Sequence, residues 1–235
     1  MIGSDYTLVL GGSAGIGFAF AEWCARKSQR LVVVGRHRPR LQKAGQALLA
    51  AGADEVICIG GDVLDPRFRS KLLSQLTEKR ISTVFIGGPS PPARGASTVD
   101  WRSLQQTSEI CLVYPVHILS SILAGGPTNV HFIFLSSSAA RERLENHPFF
   151  LSASLRRTAE VVLKNLVAER SNGDISLSIW RPKVVYTNLA KRYAHLLPAR
   201  GHGDSPLSRL ERRFGVLAIP SPEEFVRRMM RTSHD

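Results

Sequence analysis

The sequence predicts a single α/β domain: a doubly wound parallel sheet of about six strands with helices on both faces. Three observations predict it. Short apolar runs alternate with longer amphipathic stretches along most of the chain. The second apolar run, Leu31-Val-Val-Val34, has no polar member, the mark of a strand buried on both faces. A glycine cluster joins the first run to the first amphipathic stretch, where a strand must turn sharply into a helix.

The elements follow in order. Tyr6–Leu10 is predicted as a strand, and Gly17–Lys27 as an amphipathic helix. Leu31–Val34 is the second strand. Helix at Arg40–Ala51, strand at Glu55–Ile59, helix at Arg67–Glu78 and strand at Thr83–Ile86 come next. A loop follows at Gly87-Gly-Pro-Ser-Pro-Pro92, since Pro and Gly interrupt either ladder. A helix begins near Val99-Asp100-Trp101. Strand Val130–Leu135, helix Ser152–Glu169 and strand Ile175–Trp180 complete the alternation. The tail from Asn188 is irregular and ends in a helix starting at the cap Ser221-Pro222-Glu223-Glu224.

With 235 residues and 43% hydrophobic content, residues 1–235 are expected to form one domain around a continuous core, without a linker. No apolar run approaches the roughly 18 residues of a membrane span, so no membrane association is expected. The first residues, Met1-Ile-Gly-Ser-Asp5, carry no basic region, so no secretory signal is expected. Cys24, Cys58 and Cys111 lie far apart, in neither a metal nor a disulfide spacing. They read as buried small hydrophobes in a reducing cytoplasm. The net charge of +12 is carried mostly by Arg. It fits either an Arg-rich host proteome or an anionic cofactor or substrate. No aromatic-interleaved basic stripe is present, so no nucleic-acid partner is expected.

Gly11-Gly-Ser-Ala-Gly-Ile-Gly17 lies between the first strand and the first helix. There, glycines let backbone N–H groups approach a pyrophosphate, and the helix N-terminus faces its charge. Gly11, Ser13, Ala14, Gly15, Ile16 and Gly17 are therefore the candidate phosphate-binding residues. The second strand ends Val34-Gly35-Arg36-His37-Arg38. An acid at its end would bind the ribose 2′-hydroxyl of NAD. Here Gly35 stands at that place and a basic cluster follows, which suits a 2′-phosphate. Arg36 and Arg38 thus favour NADP(H) over NAD(H). Asp62 and Val63, after the third strand, are placed to contact the adenine.

Together these residues resemble the short-chain dehydrogenase/reductase family, with nearly the whole chain covered. Gly11–Gly17 is similar to the family's Thr-Gly-x-x-x-Gly-Ile-Gly, with Leu10 where Thr is usual. Val34-Gly-Arg36 resembles its NADP-preferring second strand, and Gly61-Asp62-Val63 its Asp-Val pair. Phe134-Leu-Ser-Ser137 resembles the fifth strand with its serine. Pro182-Lys-Val-Val-Tyr-Thr187 resembles the Pro-Gly-x-x-x-Thr loop, with Lys183 in place of Gly. Arg213-Phe-Gly215 and Pro222-Glu-Glu224 resemble the last loop and helix. The resemblance implies a Rossmann-type sheet, cofactor contacts from Gly87, Pro182 and Thr187, and pairing of subunits through helices near Trp101–Leu123 and Ser152–Glu169. A homodimer is therefore the expected assembly. It also implies a small-molecule or carrier-bound substrate, covered by a loop at 188–215.

The same resemblance exposes departures. The family's Asn-Asn-Ala-Gly after the fourth strand reads Phe85-Ile-Gly-Gly-Pro-Ser-Pro91. Its helix-four Asn falls near Ser108. The family's catalytic Tyr and Lys, four residues apart, fall on Leu151-Ser-Ala-Ser-Leu-Arg156. Two registers fit, Ser152 with Arg156 or Leu151 with Leu155. The first is preferred because it keeps a polar face toward the cofactor, and Arg156 then also holds ribose hydroxyls. A serine hydroxyl is a poorer acid than a phenol, and Arg stays protonated. Ser137 remains to polarise a carbonyl. Tyr186, in the loop beside the nicotinamide, is the candidate displaced acid, with Tyr193, His195 and His147 as weaker ones. No Ser/His/Asp order or paired-carboxylate spacing points to hydrolysis. The expected function is NADP(H)-dependent hydride transfer to or from a carbonyl or hydroxyl. Non-redox chemistry on the same scaffold, such as cyclisation, isomerisation or dehydration, and a catalytically inactive dinucleotide binder remain alternatives.

Overall fold

A computed structural model describes residues 5–88, 99–125, 129–142, 149–170, 174–183, 185, 187, 205 and 220–232. Its centre is a six-stranded parallel sheet in the order β3-β2-β1-β4-β5-β6. The strands are β1 (Tyr6–Leu10), β2 (Arg30–Gly35), β3 (Glu55–Gly60), β4 (Ile81–Ile86), β5 (Val130–Leu135) and β6 (Ile175–Trp180). Helices α1 (Gly15–Ala25), α2 (Arg38–Ala50), α3 (Pro66–Leu76), α4 (Trp101–Ser108), α5 (Tyr114–Ala124), α6 (Phe150–Arg170) and α7 (Pro222–Thr232) cover it. This is the doubly wound Rossmann arrangement, in which the strand order reverses between β1 and β4.

Side-chain alternation along the strands explains why both faces are covered. Leu8, Leu10, Val32, Val34, Val84, Ile86, Phe132 and Phe134 join one core, together with Leu72, Ile118 and Leu163. The intervening Val9, Leu31, Val33, Phe85 and Ile133 join the other, with Phe20, Leu41 and Leu48. In this second core Phe20 stacks on Phe85 at 4.9 Å, and Trp180 meets Phe225 of α7 edge-on at 5.9 Å. That contact seats the terminal helix. Its start is capped as predicted, with Ser221 Oγ accepting from the Glu224 N–H at 3.2 Å.

The run Trp101–Ala124 is long and apolar enough, by length and composition, to cross a membrane. Its Tyr114, Ile118, Leu119 and Leu123 are buried in the first core, which makes it a core helix of this fold. It is not continuous α-helix. Residues Glu109–Val113 form one π-turn, in which the Tyr114 N–H bonds to the Glu109 carbonyl five residues back. Pro115 supplies the reason. A proline lacks the N–H and its ring crowds the carbonyl four residues earlier, here that of Cys111.

One expectation needs correction. Cys24 and Cys111 are buried, but Cys58 is exposed. It stands on β3, an edge strand, so no neighbouring strand shields it.

Candidate cofactor and active site

The C-terminal ends of β1 and β4, where the strand order reverses, are where this kind of sheet holds a ligand crevice, and the chain there is glycine at 11, 12, 87 and 88. Gly11 takes a left-handed φ of 79°, and a Cβ there would meet the Gly88 nitrogen at 3.0 Å. A Cβ on Gly87 would meet the Leu10 carbonyl oxygen at 2.8 Å. One on Gly17 would fall on the Gly11 carbonyl, 3.0 Å from its carbon and closer to its oxygen. These positions must be glycine for two backbones and a helix end to converge. Gly11 and Gly12 both donate to the Val34 carbonyl, at 3.0 and 3.2 Å.

Helix α1 begins here. Its N-cap Ala14 makes no side-chain cap hydrogen bond, and its first turn carries no acid. The first N–H groups of Gly15, Ile16 and Gly17 have no partner within the helix and stand at the positive end of the helix dipole. That cradle fits a pyrophosphate. Thr187 closes it: its Cγ2 lies 3.5 Å from where a Gly15 Cβ would stand. The Gly loop and the loop beginning at Pro182 thus meet across the same gap. Pro182 itself accepts from the Ser138 N–H at 3.1 Å.

At the end of β2, Gly35 packs on Ser13, whose Oγ would lie 2.9 Å from a Cβ at 35. An acid at that position would have to displace Ser13. Arg36, more than half exposed, lies 3.6 Å from Asp62 Oδ2. Asp62 Oδ1 accepts from the Leu64 N–H at 3.0 Å, which fixes the turn after β3. Val63 is buried beneath it. Arg38 goes elsewhere. It lies over Gly60, whose Cβ would meet its Cγ at 3.2 Å. There it lines a groove of about 610 Å³ along the outer edge of β3, with Leu41, Gln42, Cys58 and Lys79.

A buried polar network supports this end. Tyr114 donates to the Gly87 carbonyl at 2.8 Å. Burial pushes its hydroxyl well above the ordinary 10, with Arg69 opposing and Asp62 adding to the shift. Arg69 is buried, donates to the Val63 carbonyl at 2.9 Å and pairs with Glu109 at 2.6 Å. Asp62, Val63 and the turn after β3 are therefore joined through Arg69 to the π-turn, which leads into Tyr114 beneath Gly87.

The face of α6 toward β5 carries Ser152, Arg156 and Glu160, spaced by four residues. Ser152 is buried and donates to the Phe149 carbonyl at 3.0 Å. Arg156 donates to the Leu135 carbonyl at 2.6 Å. Its guanidinium also reaches the Cys111 thiol; burial raises that thiol's pKa and Arg156 pulls it down. So the π-turn residue beside Arg156 is Cys111, whereas Ser108 sits just before the π-turn. Sequence spacing missed this, because the π-turn adds a residue to the helix. Pro115 was the available signal. Ser137, half-buried, caps the short turn that follows β5 by accepting from the Ala139 N–H at 3.3 Å. Next to it, Ser136 is buried and donates to Glu160 at 2.6 Å.

Ser137 and Pro182 thus follow the ends of β5 and β6, Arg156 reaches the end of β5 from α6, and Thr187 and Gly87 stand beside the Gly11–Gly17 loop. Tyr186, Tyr193, His195, His147 and all of the 188–215 loop except Ser205 lie outside the described residues. Among the described residues, no group of three His, Cys, Asp or Glu could hold a metal ion.

The profile of the family described as short chain dehydrogenase matches residues 5–194. A curated relative, the short chain dehydrogenase/reductase AacuD of Aspergillus aculeatus, is 23% identical over 197 residues. The match covers 80% of this chain but 66% of that relative, just under two thirds of its length. The L-sorbose reductase of Gluconobacter frateurii, solved with NADPH and L-sorbose, superposes with a TM-score of 0.83 at 19% identity, covering 96% of this chain and 88% of that one. An NADPH-bound short chain oxidoreductase from Pseudomonas aeruginosa PAO1, described as containing an atypical catalytic center, gives 0.82 at 15% identity, covering 96% and 88%.

Proposed function

The chain belongs to the short-chain dehydrogenase family, and on that premise we propose that it is an NADP(H)-dependent oxidoreductase with an altered active site. Its reaction is hydride transfer to or from a small or carrier-bound carbonyl or hydroxy substrate. The observation that carries this reading is the glycine cradle at the β1/β4 crevice, with an uncapped helix end on one side and Thr187 on the other. NADPH complexes among the structural neighbours support the cofactor, and the Pseudomonas protein offers a precedent for an atypical centre on this fold.

NADP(H), when bound, supplies or accepts the hydride. The chain's own groups do the rest. The N–H groups of Gly15, Ile16 and Gly17 hold the pyrophosphate, and Arg36 the 2′-phosphate. Asp62 and Val63 border the adenine, whereas Arg38 lies over Gly60 at the β3 edge. Pro182 and Thr187 hold the nicotinamide end. Ser137 donates to the substrate oxygen. Ser152 and Arg156 occupy the places of the family's Tyr and Lys. Arg156 stays protonated, so it stabilises negative charge on that oxygen without passing a proton. Tyr186 is the candidate proton donor, and the 188–215 loop the substrate cover of this single domain. Exposed Trp101, Val113 and Val161 on the α4–α5 and α6 surfaces favour a homodimer through those helices.

A second reading has its own support. Ser152 and Arg156 both spend hydrogen bonds on nearby carbonyls, which suits a dinucleotide-binding protein without proton transfer, or a non-redox enzyme on this scaffold. Titration with NADPH and NADH, followed by nicotinamide fluorescence, separates these readings when joined to NADPH consumption over a panel of ketones and enones. Binding with turnover supports the oxidoreductase. Binding without turnover favours the second reading, and no binding to either nucleotide removes the redox proposal. Gly15→Asp, which puts a carboxylate in the cradle, is the control expected to abolish binding.

A further inference from the structure

The polar seam on α6 continues past Arg156 to a group that the reaction as proposed does not use. Glu160 is buried, and its carboxylate is fully occupied. Oε1 accepts from Ser136 Oγ at 2.6 Å and from Arg181 Nε at 2.9 Å. Oε2 accepts from Arg181 Nε at 3.0 Å and Nη2 at 2.6 Å. The two charged side chains are 8% and 17% exposed, so this is a bidentate ion pair away from bulk water. Such a pair is a poor source of stability, because desolvation offsets most of its attraction. What it does supply is fixed geometry, since a planar fork meets a planar carboxylate in one orientation.

Its location gives that geometry a use. Ser136 adjoins Ser137, and Arg181 adjoins Pro182. Backbone bonds cross-link the same pieces: Ser136 N–H to the Trp180 carbonyl at 2.8 Å, and Ser138 N–H to the Pro182 carbonyl at 3.1 Å. From Pro182 the chain reaches Thr187, against the Gly15 cradle. One turn earlier on α6, Arg156 grips Leu135, the residue before Ser136. We propose that Glu160 and Arg181 are positioning residues for the nicotinamide half of the cofactor, locking the serine turn and the Pro182–Thr187 loop to α6 in one register. This rests on the reading that the crevice binds NADP(H).

The test compares two ligands on the same protein. NADPH engages the whole crevice, whereas adenosine 2′,5′-bisphosphate engages the Arg36 end and the adenosine-side phosphate site of the Gly15–Gly17 cradle but has no nicotinamide half. The main variant is Glu160→Met with Arg181→Met, which keeps the bulk and leaves no unpaired charge. The second is Glu160→Gln, which keeps an acceptor for Ser136 and removes the charge. Both ligands titrate the same folded fraction, so the ratio of their affinities is independent of partial unfolding. The expected result is NADPH binding weaker by about tenfold, the equivalent of roughly one hydrogen bond, with bisphosphate binding unchanged. An unchanged ratio in both variants overturns the positioning role and leaves the pair merely structural. Failure of the wild-type protein to bind either ligand overturns the cofactor reading itself, and the proposal with it.

Discussion

Arg36 and Asp62 face each other across the ends of β2 and β3 at 3.6 Å, both open to solvent. So loose and exposed a pair contributes at most about 1 kcal/mol, too little to commit the guanidinium. A 2′-phosphate would offer it shorter, doubly charged partners. Arg36→Ala should therefore weaken NADPH binding by roughly 10- to 100-fold, the worth of one or two charge-assisted hydrogen bonds. NADH affinity should stay within about twofold, because the lost contact concerns the phosphate alone. Fluorescence titration of both nucleotides checks this, and equal losses for both would place the 2′-phosphate elsewhere.

Gly17→Ala tests the cradle sterically. The new Cβ would meet the Gly11 carbonyl, which is backbone and cannot rotate aside. Overpacking of this kind costs about 1–3 kcal/mol, or a fall in Tm of several degrees for a chain of this size. Nucleotide binding should fall further than stability, because relief moves the phosphate loop itself. Gly125→Ala is the control, with an ordinary 3.4 Å contact to the Ile122 carbonyl oxygen. A Gly17→Ala protein that binds NADPH normally would refute the cradle.

The two halves of the site were unequally legible in the sequence. Strand spans such as Tyr6–Leu10, Val130–Leu135 and Ile175–Trp180 read correctly, because a buried parallel strand needs an apolar run and little else. The Gly11–Gly17 loop read well for the same reason: local chemistry dictates local shape. Helix starts slipped. Helix α1 begins at Gly15, two residues before the predicted Gly17, since no side chain caps it. The π-turn at Glu109–Val113 was signalled by Pro115 alone, and the Cys111–Arg156 contact did not read at all, because it depends on how that turn meets α6. Arg38 belongs to the basic cluster that follows β2, yet its side chain runs over Gly60 to the sheet edge, a choice that only tertiary packing makes.

Cys58 should be the cysteine that reagents find. It is exposed on edge strand β3, while Cys24 and Cys111 are 2% and 0% exposed. Burial pushes the Cys24 thiol up to about 12 and raises that of Cys111 as well. The Cys58 thiol is also raised, so labelling should be slow rather than absent. At pH 8, iodoacetamide followed by mass spectrometry should place the first modification on Cys58, and denaturant should release the other two. Cys58→Ser should abolish native labelling. Early modification of Cys111 would mean that the α5–α6 contact opens readily.

Tyr114 links the crevice floor to the core, and its titration gives a test with a definite sign. Burial raises its pKa, so the fold holds the phenol protonated while the unfolded chain releases that proton near pH 10. Its stabilising contribution is fully present below pH 10 and is lost as pH rises beyond it. Tyr114→Phe removes the bond to the Gly87 carbonyl, which should cost about 1–2 kcal/mol at pH 8. The variant has no phenol to titrate at this position, so the gap should narrow between pH 9 and pH 11. Tyr6, whose pKa is also raised, is present in both proteins and cancels from the difference. Urea unfolding at four or five pH values measures the gap. A gap constant with pH would show that this hydroxyl exchanges its proton freely in the folded state, and hence that water reaches the floor of the crevice beneath Gly87.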